Sequence, residues 1–222
     1  MLFDIDTKVG DKEITVLVGP NGSGKSTLLK TIMGITQVYS GKILFNGNNI
    51  LGQPPHAITR LGIAYLPQVG NVFADLKVKE NLVMASYILS RNEAKKRTDE
   101  VLEEFPILKG YIDRRAGTLS GGERQMLAMA MAMMRRPTIM LFDEPTASLA
   151  PKIAIEVLNK IVGLREKFGM TVVLAEQNAR RALEHGDQAI LLVSGRVMYE
   201  GGSKELLNHE ELGKVYLGIK TD

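Results

Sequence analysis

Residues 19–26 read Gly19-Pro20-Asn21-Gly22-Ser23-Gly24-Lys25-Ser26, with Thr27 following. The spacing is that of a phosphate loop, G-x-x-x-x-G-K-[ST]. Glycines lack a Cβ and let successive backbone N–H groups converge on one anion. A helix beginning at the end of the loop adds the positive end of its dipole. The Lys25 ammonium reaches the β- and γ-phosphates of a nucleoside triphosphate, and the Ser26 hydroxyl is a ligand for Mg²⁺. Just before the loop, Thr15-Val16-Leu17-Val18 is a β-branched run that stops at Gly19. After it, Lys25 to Met33 has helical composition, with Gly34 where a C-cap glycine falls. Strand, glycine turn and helix in this order predict an α/β unit. Gly19, Pro20, Asn21, Gly22, Ser23, Gly24, Lys25, Ser26 and Thr27 are its candidate nucleotide ligands.

Outward from this unit, Lys42 to Phe45 runs into Asn46-Gly47, a hairpin signal. Buried strands are expected at Ile63 to Leu66, Thr138 to Phe142 and Thr171 to Ala175. Ala189 to Val193 and Arg196 to Glu200 flank Ser194-Gly195 as a terminal hairpin. From Lys77 to about Leu108 there is no strand signal, and the run Arg91 to Arg97 reads as a solvated helix face. The expected fold is α/β: a P-loop NTPase core with a parallel-rich sheet, an antiparallel β part and an inserted helical subdomain. Residues 1–222 form one domain, with the helical part at about 77–136.

Composition narrows the function. Hydrophobic residues are 45% and charged residues 24% of the 222, as in an ordinary globular chain. Disordered, collagen-like and disulfide-scaffold classes are excluded. No apolar run approaches the ~20 residues that cross a bilayer. There is no cysteine, hence no disulfide or thiolate chemistry. The start, MLFDIDTK, lacks the basic and apolar regions of a secretory signal, which implies a cytosolic chain. A formal net charge of +3 demands neither nucleic acid nor a membrane surface.

Two further stretches carry chemistry. The apolar strand Thr138-Ile139-Met140-Leu141-Phe142 runs into Asp143-Glu144. A buried apolar strand ending in two carboxylates is unusual, because charge there needs a cation or a water to act on; the plain alternative is a strand end emerging into solvent. With this strand beside the P-loop strand, Asp143 would hold Mg²⁺ and Glu144 would orient or deprotonate an attacking water. Leu119-Ser120-Gly121-Gly122-Glu123 opens a helix running to about Arg136. Ser120 and Glu123 have capping-box spacing. Two adjacent glycines exceed the needs of a cap, and bare N–H groups at a helix start make a second anion site. The Met126, Met129, Met131, Met133 and Met134 stripe is expected to be core.

The P-loop, Gln68 in Tyr65-Leu66-Pro67-Gln68, the signature Leu119 to Glu123 and the strand Ile139 to Glu144 occur in this order. Together they resemble the nucleotide-binding subunit of an ATP-binding-cassette (ABC) transporter over almost the whole chain. The resemblance implies a head-to-tail dimer with two ATP molecules, each between the P-loop of one chain and the signature of the other. Lys25 and Ser26 would bind phosphate and Mg²⁺. Gln68 would sense Mg²⁺ and link to the helical subdomain. Ser120, Gly121 and Gly122 would contact the γ-phosphate held by the partner chain. Asp143 would support Mg²⁺, and Glu144 would be the catalytic base.

This sequence departs from the family pattern at three places. The switch histidine falls on Gln177, which can donate a hydrogen bond but carries no charge. The D-loop aspartate falls on Ala150. An N-terminal strand and an adenine-stacking aromatic are expected to be missing before Met1, which implies poor discrimination of ATP from GTP and an unpaired sheet edge. Phe3 is expected to pack into the core before a strand.

Ala150-Pro151, Glu176 to Arg180, Phe105-Pro106, Arg115 to Thr118 and Tyr216-Leu217-Gly218 resemble one of the two ATPases of branched-chain amino-acid importers. That resemblance implies a peripheral ATPase on the cytoplasmic membrane face. Its partners would be a second ATPase subunit (a paralogue or a copy), two transmembrane permeases and, indirectly, an extracytoplasmic solute-binding protein. Val69 to Leu76, with apolar Val72, Phe73 and Leu76, would form the groove for a permease loop. The alternatives are an ABC ATPase for another substrate, or a non-transport ABC protein. The gap from Gly24 to Ser120 is too short for the coiled coils of the DNA-repair members.

Overall fold

A computed structural model describes residues 1–217; Gly218, the end of the Tyr216-Leu217-Gly218 motif, lies outside the described residues. β1 (Ile14–Val18) is buried along its whole length and enters the P-loop. α1 (Lys25–Ile32) leaves it, with Gly24 at φ +108° as N-cap. β2 (Leu44–Phe45) and β3 (Asn48–Asn49) make a short hairpin. Asn46 and Gly47 both have positive φ, as a type I′ turn requires. Next come α2 (Pro55–Arg60), β4 (Ile63–Leu66), α3 (Val78–Ala85), α4 (Arg91–Glu104) and α5 (Gly121–Met133). β5 (Ile139–Asp143), α6 (Pro151–Phe168), β6 (Thr171–Ala175) and α7 (Ala179–Leu183) follow, then the hairpin β7 (Gln188–Val193) and β8 (Arg196–Gly202), and α8 (Ser203–Leu207).

The main sheet has the order β4-β5-β6-β1-β7-β8, parallel except for β8. This corrects one expectation. The acidic strand β5 does not lie beside the P-loop strand, because β6 separates them. All five β6 residues, Thr171 to Ala175, are buried, so its continuous apolar run suits an interior position covered on both faces. The register sets Leu17 against Ala175, and Ala175 against Asp143. Three strands therefore end level, and the loops that leave them share one edge of the sheet. Ligand sites of open α/β sheets form at these carboxyl ends.

Side chains alternate between two cores. Val16, Val18, Met140, Phe142, Val172 and Leu174 face the one built by α5, α6 and α7. Leu17, Leu141, Val173 and Ala175 face the one holding Leu29 of α1 and Ile58 of α2. This is the period-2 geometry of strands. Met129, Met133 and Met134 are buried, and Met126 and Met131 pack against them, so the methionine stripe is core.

Three local expectations change. α5 ends at Met133 rather than near Arg136, which has φ +51°. The charge run is not wholly solvated: the Arg97 guanidinium donates to the carbonyls of Met133 and Met134 at the end of α5, where unpaired carbonyls attract a cation. Phe3 is 42% exposed, and residues 1–13 contain no strand. The Phe3 ring lies 5.4 Å from the Arg196 guanidinium, which also pairs with Asp4. That cation holds the ring at the surface.

Candidate nucleotide-hydrolysis site

The P-loop is tight for a steric reason. A Cβ on Gly19 would stand 2.0 Å from the Leu192 carbonyl oxygen, and Gly19 has φ +146°. Only glycine fits there. The loop is fastened to the β7–β8 turn by the Gly195 N–H donating to the Ser23 carbonyl at 2.9 Å. Lys25 is buried and donates to the carbonyls of Gly19 (2.9 Å) and Pro20 (3.2 Å). Burial pushes its pKa down, while the carboxylates of Glu144, Asp143 and Glu176 oppose that shift. A cation in this position favours a polyanion that replaces its lost hydration.

From α1, the Ser26 hydroxyl donates to Asp143 Oδ1 at 2.7 Å. This bond spans the intervening β6, since the first turn of α1 reaches over the strand ends to β5. The Tyr65 hydroxyl donates to Asp143 Oδ2 at 2.9 Å. Glu144 follows Asp143 with φ +49°, and its N–H donates to the Ala175 carbonyl. Gln68 Nε2 donates to Glu144 Oε2 at 2.9 Å. Five of the expected residues (Lys25, Ser26, Gln68, Asp143 and Glu144) therefore meet at the carboxyl edge of the sheet. The hydroxyl, carboxylate and amide oxygens there are the hard donors Mg²⁺ takes. The described residues contain no group of three or more His, Cys, Asp or Glu that could hold a metal, so these residues would hold Mg²⁺ only together with phosphate oxygens and water.

The signature stands apart from this cluster. Ser120 and Glu123 form the capping box, with Glu123 N–H to Ser120 Oγ at 3.3 Å and Ser120 N–H to Glu123 Oε2 at 2.7 Å. A Cβ on Gly121 would lie 2.6 Å from Leu149 Cδ2, and one on Gly122 would lie 2.4 Å from Ile153 Cγ2. The glycines thus serve close packing on the loop before α6 and on α6 itself, a reason the sequence did not disclose. No hydrogen bond among the described residues connects Ser120, Gly121 or Gly122 to residues 19–27. Gln177 is exposed just past β6.

Sequence reasoning passed over two polar residues here. Tyr65 sits opposite Leu141 in the β4–β5 register, and no local sequence signal marks its phenol as a partner of Asp143. Burial and the Asp143 carboxylate push its phenol far above the ordinary range. The phenol therefore stays a donor that orients Asp143. Replacing Tyr65 by Phe should weaken Mg-nucleotide binding about fivefold, the worth of one hydrogen bond near 1 kcal/mol. Nucleotide titration with and without Mg²⁺ checks this, the loss appearing only with the metal. The other residue passed over is Glu176, buried beside the same edge, whose Oε1 accepts the Thr146 N–H at 2.9 Å.

A family model for ABC transporters matches residues 2–147. The chain belongs to the ABC transporter family. It is 52% identical over 219 residues to a probable branched-chain amino acid transport ATP-binding protein, LivF, of Archaeoglobus fulgidus, spanning 99% of this chain and 93% of the relative. It is 42% identical over 217 residues to the high-affinity branched-chain amino acid transport ATP-binding protein BraG of Pseudomonas aeruginosa, spanning 98% and 93%. Among solved structures it matches a dimeric ATP-binding cassette in a post-hydrolysis state with ADP and Pi. The TM-score is 0.79 at 26% identity, covering 91% of this chain and 90% of that one. The expected P-loop α/β fold is thus the fold of this family's cassettes. The chain is an ATP-binding ATPase of the family, whose members couple hydrolysis to transport.

Proposed function

We propose that this chain is the motor subunit of a branched-chain amino-acid importer. It forms one ATPase domain with a helical insertion at about 77–136, attached to the cytoplasmic membrane face. It pairs with a second ATPase subunit, drives two permeases and serves an extracytoplasmic solute-binding protein; no nucleic acid takes part. The observation that supports hydrolysis best is the level ending of β1, β6 and β5, which puts the P-loop, Gln177 and the Asp143–Glu144 pair on one edge. The similarity to two branched-chain amino acid transport ATP-binding proteins supports the substrate class.

Residues 19–27 cradle the triphosphate with backbone N–H groups, and Lys25 swings from its carbonyl partners to the β- and γ-phosphates. Ser26, Asp143 and Gln68 would hold Mg²⁺, which when bound neutralises phosphate charge. Glu144 takes a proton from water as the water oxygen bonds the γ-phosphorus. The bond to the β–γ bridging oxygen breaks, and ADP leaves with that electron pair. Gln177 donates to a γ-phosphate oxygen without adding charge. Ser120, Gly121 and Gly122 of one chain close the site of the other.

Coupling runs through the loop before α3. Asn81 is fully buried and clamps this loop: its Oδ1 accepts the Phe73 N–H at 2.8 Å and its Nδ2 donates to the Phe73 carbonyl at 3.1 Å. Val72 packs on the core, whereas Phe73 is 49% exposed. Of Val72, Phe73 and Leu76, Phe73 is thus the one held outward; Val69, at the start of the segment, is exposed as well. With permeases and binding protein reconstituted in vesicles, ATP should drive uptake of leucine, isoleucine and valine. Phe73→Asp should cut that uptake about tenfold or more, the loss of one aromatic anchor, and leave ATP hydrolysis standing. Uptake of none of the three amino acids would overturn the substrate reading, and unchanged uptake by the variant would remove Phe73 from the contact.

A further inference from the structure

Glu176 is 3% exposed and has none of the roles above. A buried carboxylate is costly unless it is paired or well hydrogen-bonded. Among the described residues no Lys, Arg or His forms an ion pair with it. Burial accordingly pushes its pKa up, although the Thr146 hydroxyl and the Gln177 N–H lie close enough to oppose the shift. Retaining a buried carboxylate with no ion pair calls for a reason in the geometry.

Glu176 joins the two halves of the site. Its backbone N–H donates to the Leu17 carbonyl at 3.2 Å, at the end of the strand that becomes the P-loop. Its side chain reaches Thr146 in the turn beyond β5. That turn is strained: Glu144 (φ +49°) and Ser148 (φ +60°) are both left-handed without being glycine. Such conformations persist only where surrounding contacts over-determine them. Inside the turn, the Ala147 N–H donates to the Glu144 carbonyl and the Leu149 N–H to the Thr146 carbonyl. Among the described residues, two backbone N–H bonds fix the turn to the sheet and to the residue that follows β6. One is Glu144 N–H to the Ala175 carbonyl, and the other is Thr146 N–H to Glu176 Oε1.

We propose that Glu176 is a positioning residue for hydrolysis: by accepting the Thr146 N–H it holds the left-handed turn that aims the Glu144 carboxylate. The inference rests on Glu144 being the base. It makes the reach of the side chain decisive, not its charge. Glutamine has the same reach and an amide oxygen that accepts the same N–H. Aspartate keeps the charge but is one methylene too short.

The test measures kcat, KM for ATP and thermal stability on the full chain with its partner subunits. The variants are Glu176→Asp, Glu176→Gln, Glu144→Gln and the double variant Glu144→Gln with Glu176→Asp. Glu176→Asp should lower kcat about 30-fold with KM within about threefold, since misplacing a catalytic group by 1 Å costs on that order. Glu176→Gln should recover most of the rate. In the Glu144→Gln background, Glu176→Asp should lower the residual rate by less than about threefold, because no base is left to aim. The proposal is overturned by wild-type kcat in Glu176→Asp, by a loss in Glu176→Gln as large as in Glu176→Asp, or by full additivity in the double variant. If Glu176→Asp unfolds, a folded Glu176→Gln decides by itself, its kcat near wild type supporting the proposal and a fall of about tenfold or more ending it. Near-normal turnover in Glu144→Gln sinks the reading of the base and this inference with it. An inactive Glu144→Gln beside an indifferent Glu176 sinks this inference alone.

Discussion

Glu144→Gln should leave ATP binding intact and lower hydrolysis by about 10²–10⁴-fold, the usual worth of a positioned general base. Binding survives because no hydrogen bond among the described residues joins Glu144 to the P-loop. Its side chain accepts from Gln68, and its N–H is spent on the Ala175 carbonyl. Glutamine is isosteric and can still pair with Gln68, so the left-handed turn is not disturbed. What disappears is the capacity to take a proton. ATP that binds without turnover keeps both halves of each composite site engaged, and the variant should accumulate as an ATP-bound dimer. Steady-state phosphate release, ATP titration and sedimentation of the variant check the three parts. Turnover near the wild-type rate would remove Glu144 from the mechanism.

The contrast between Glu144 and Glu176 shows what the sequence discloses. Glu144 stood out as a candidate because an apolar strand that ends in two carboxylates is chemically odd, and a P-loop upstream offers a reason for it. Glu176 also follows an apolar strand, Thr171 to Ala175, but a single carboxylate there carries no comparable signal. Only the structure shows it buried and turned toward Thr146. Strand and helix positions were legible because their signals are local: β-branched runs, the Asn46-Gly47 turn and glycines after helices. The order of the strands was not. Nothing in residues 138–144 says that β6 inserts between β5 and β1, since pairing is decided by which buried faces fit. Phe3 and Arg97 show the same limit at single residues. Each was judged by its neighbours in sequence, and each is placed by a distant partner, Arg196 for one and the end of α5 for the other.

Gly121→Asp should abolish cooperative hydrolysis, a loss of about 10²-fold or more, while ATP affinity of the isolated chain changes little. The signature has no hydrogen bond to its own P-loop among the described residues, so a change there does not reach the phosphates bound in cis. In the dimer, a carboxylate at the start of α5 would face the partner's γ-phosphate, and like charges repel. Packing confounds the result, because any Cβ at this position meets Leu149 Cδ2 at 2.6 Å. Gly121→Ala carries the same Cβ without the charge and isolates the steric part; Leu149 is a flexible side chain and can yield, so the alanine variant should keep more activity than the aspartate one. Mixing chains sharpens the test. In a dimer of a Gly121→Asp chain with a Lys25→Ala chain, one composite site carries both lesions and the other carries neither. Activity should then return to at most one site of the two. If Gly121→Asp instead weakens ATP binding by the isolated chain, the signature acts on its own P-loop and the sandwich arrangement is wrong. If the alanine variant is as dead as the aspartate, contact with Leu149 rather than charge at the helix start is what hydrolysis requires.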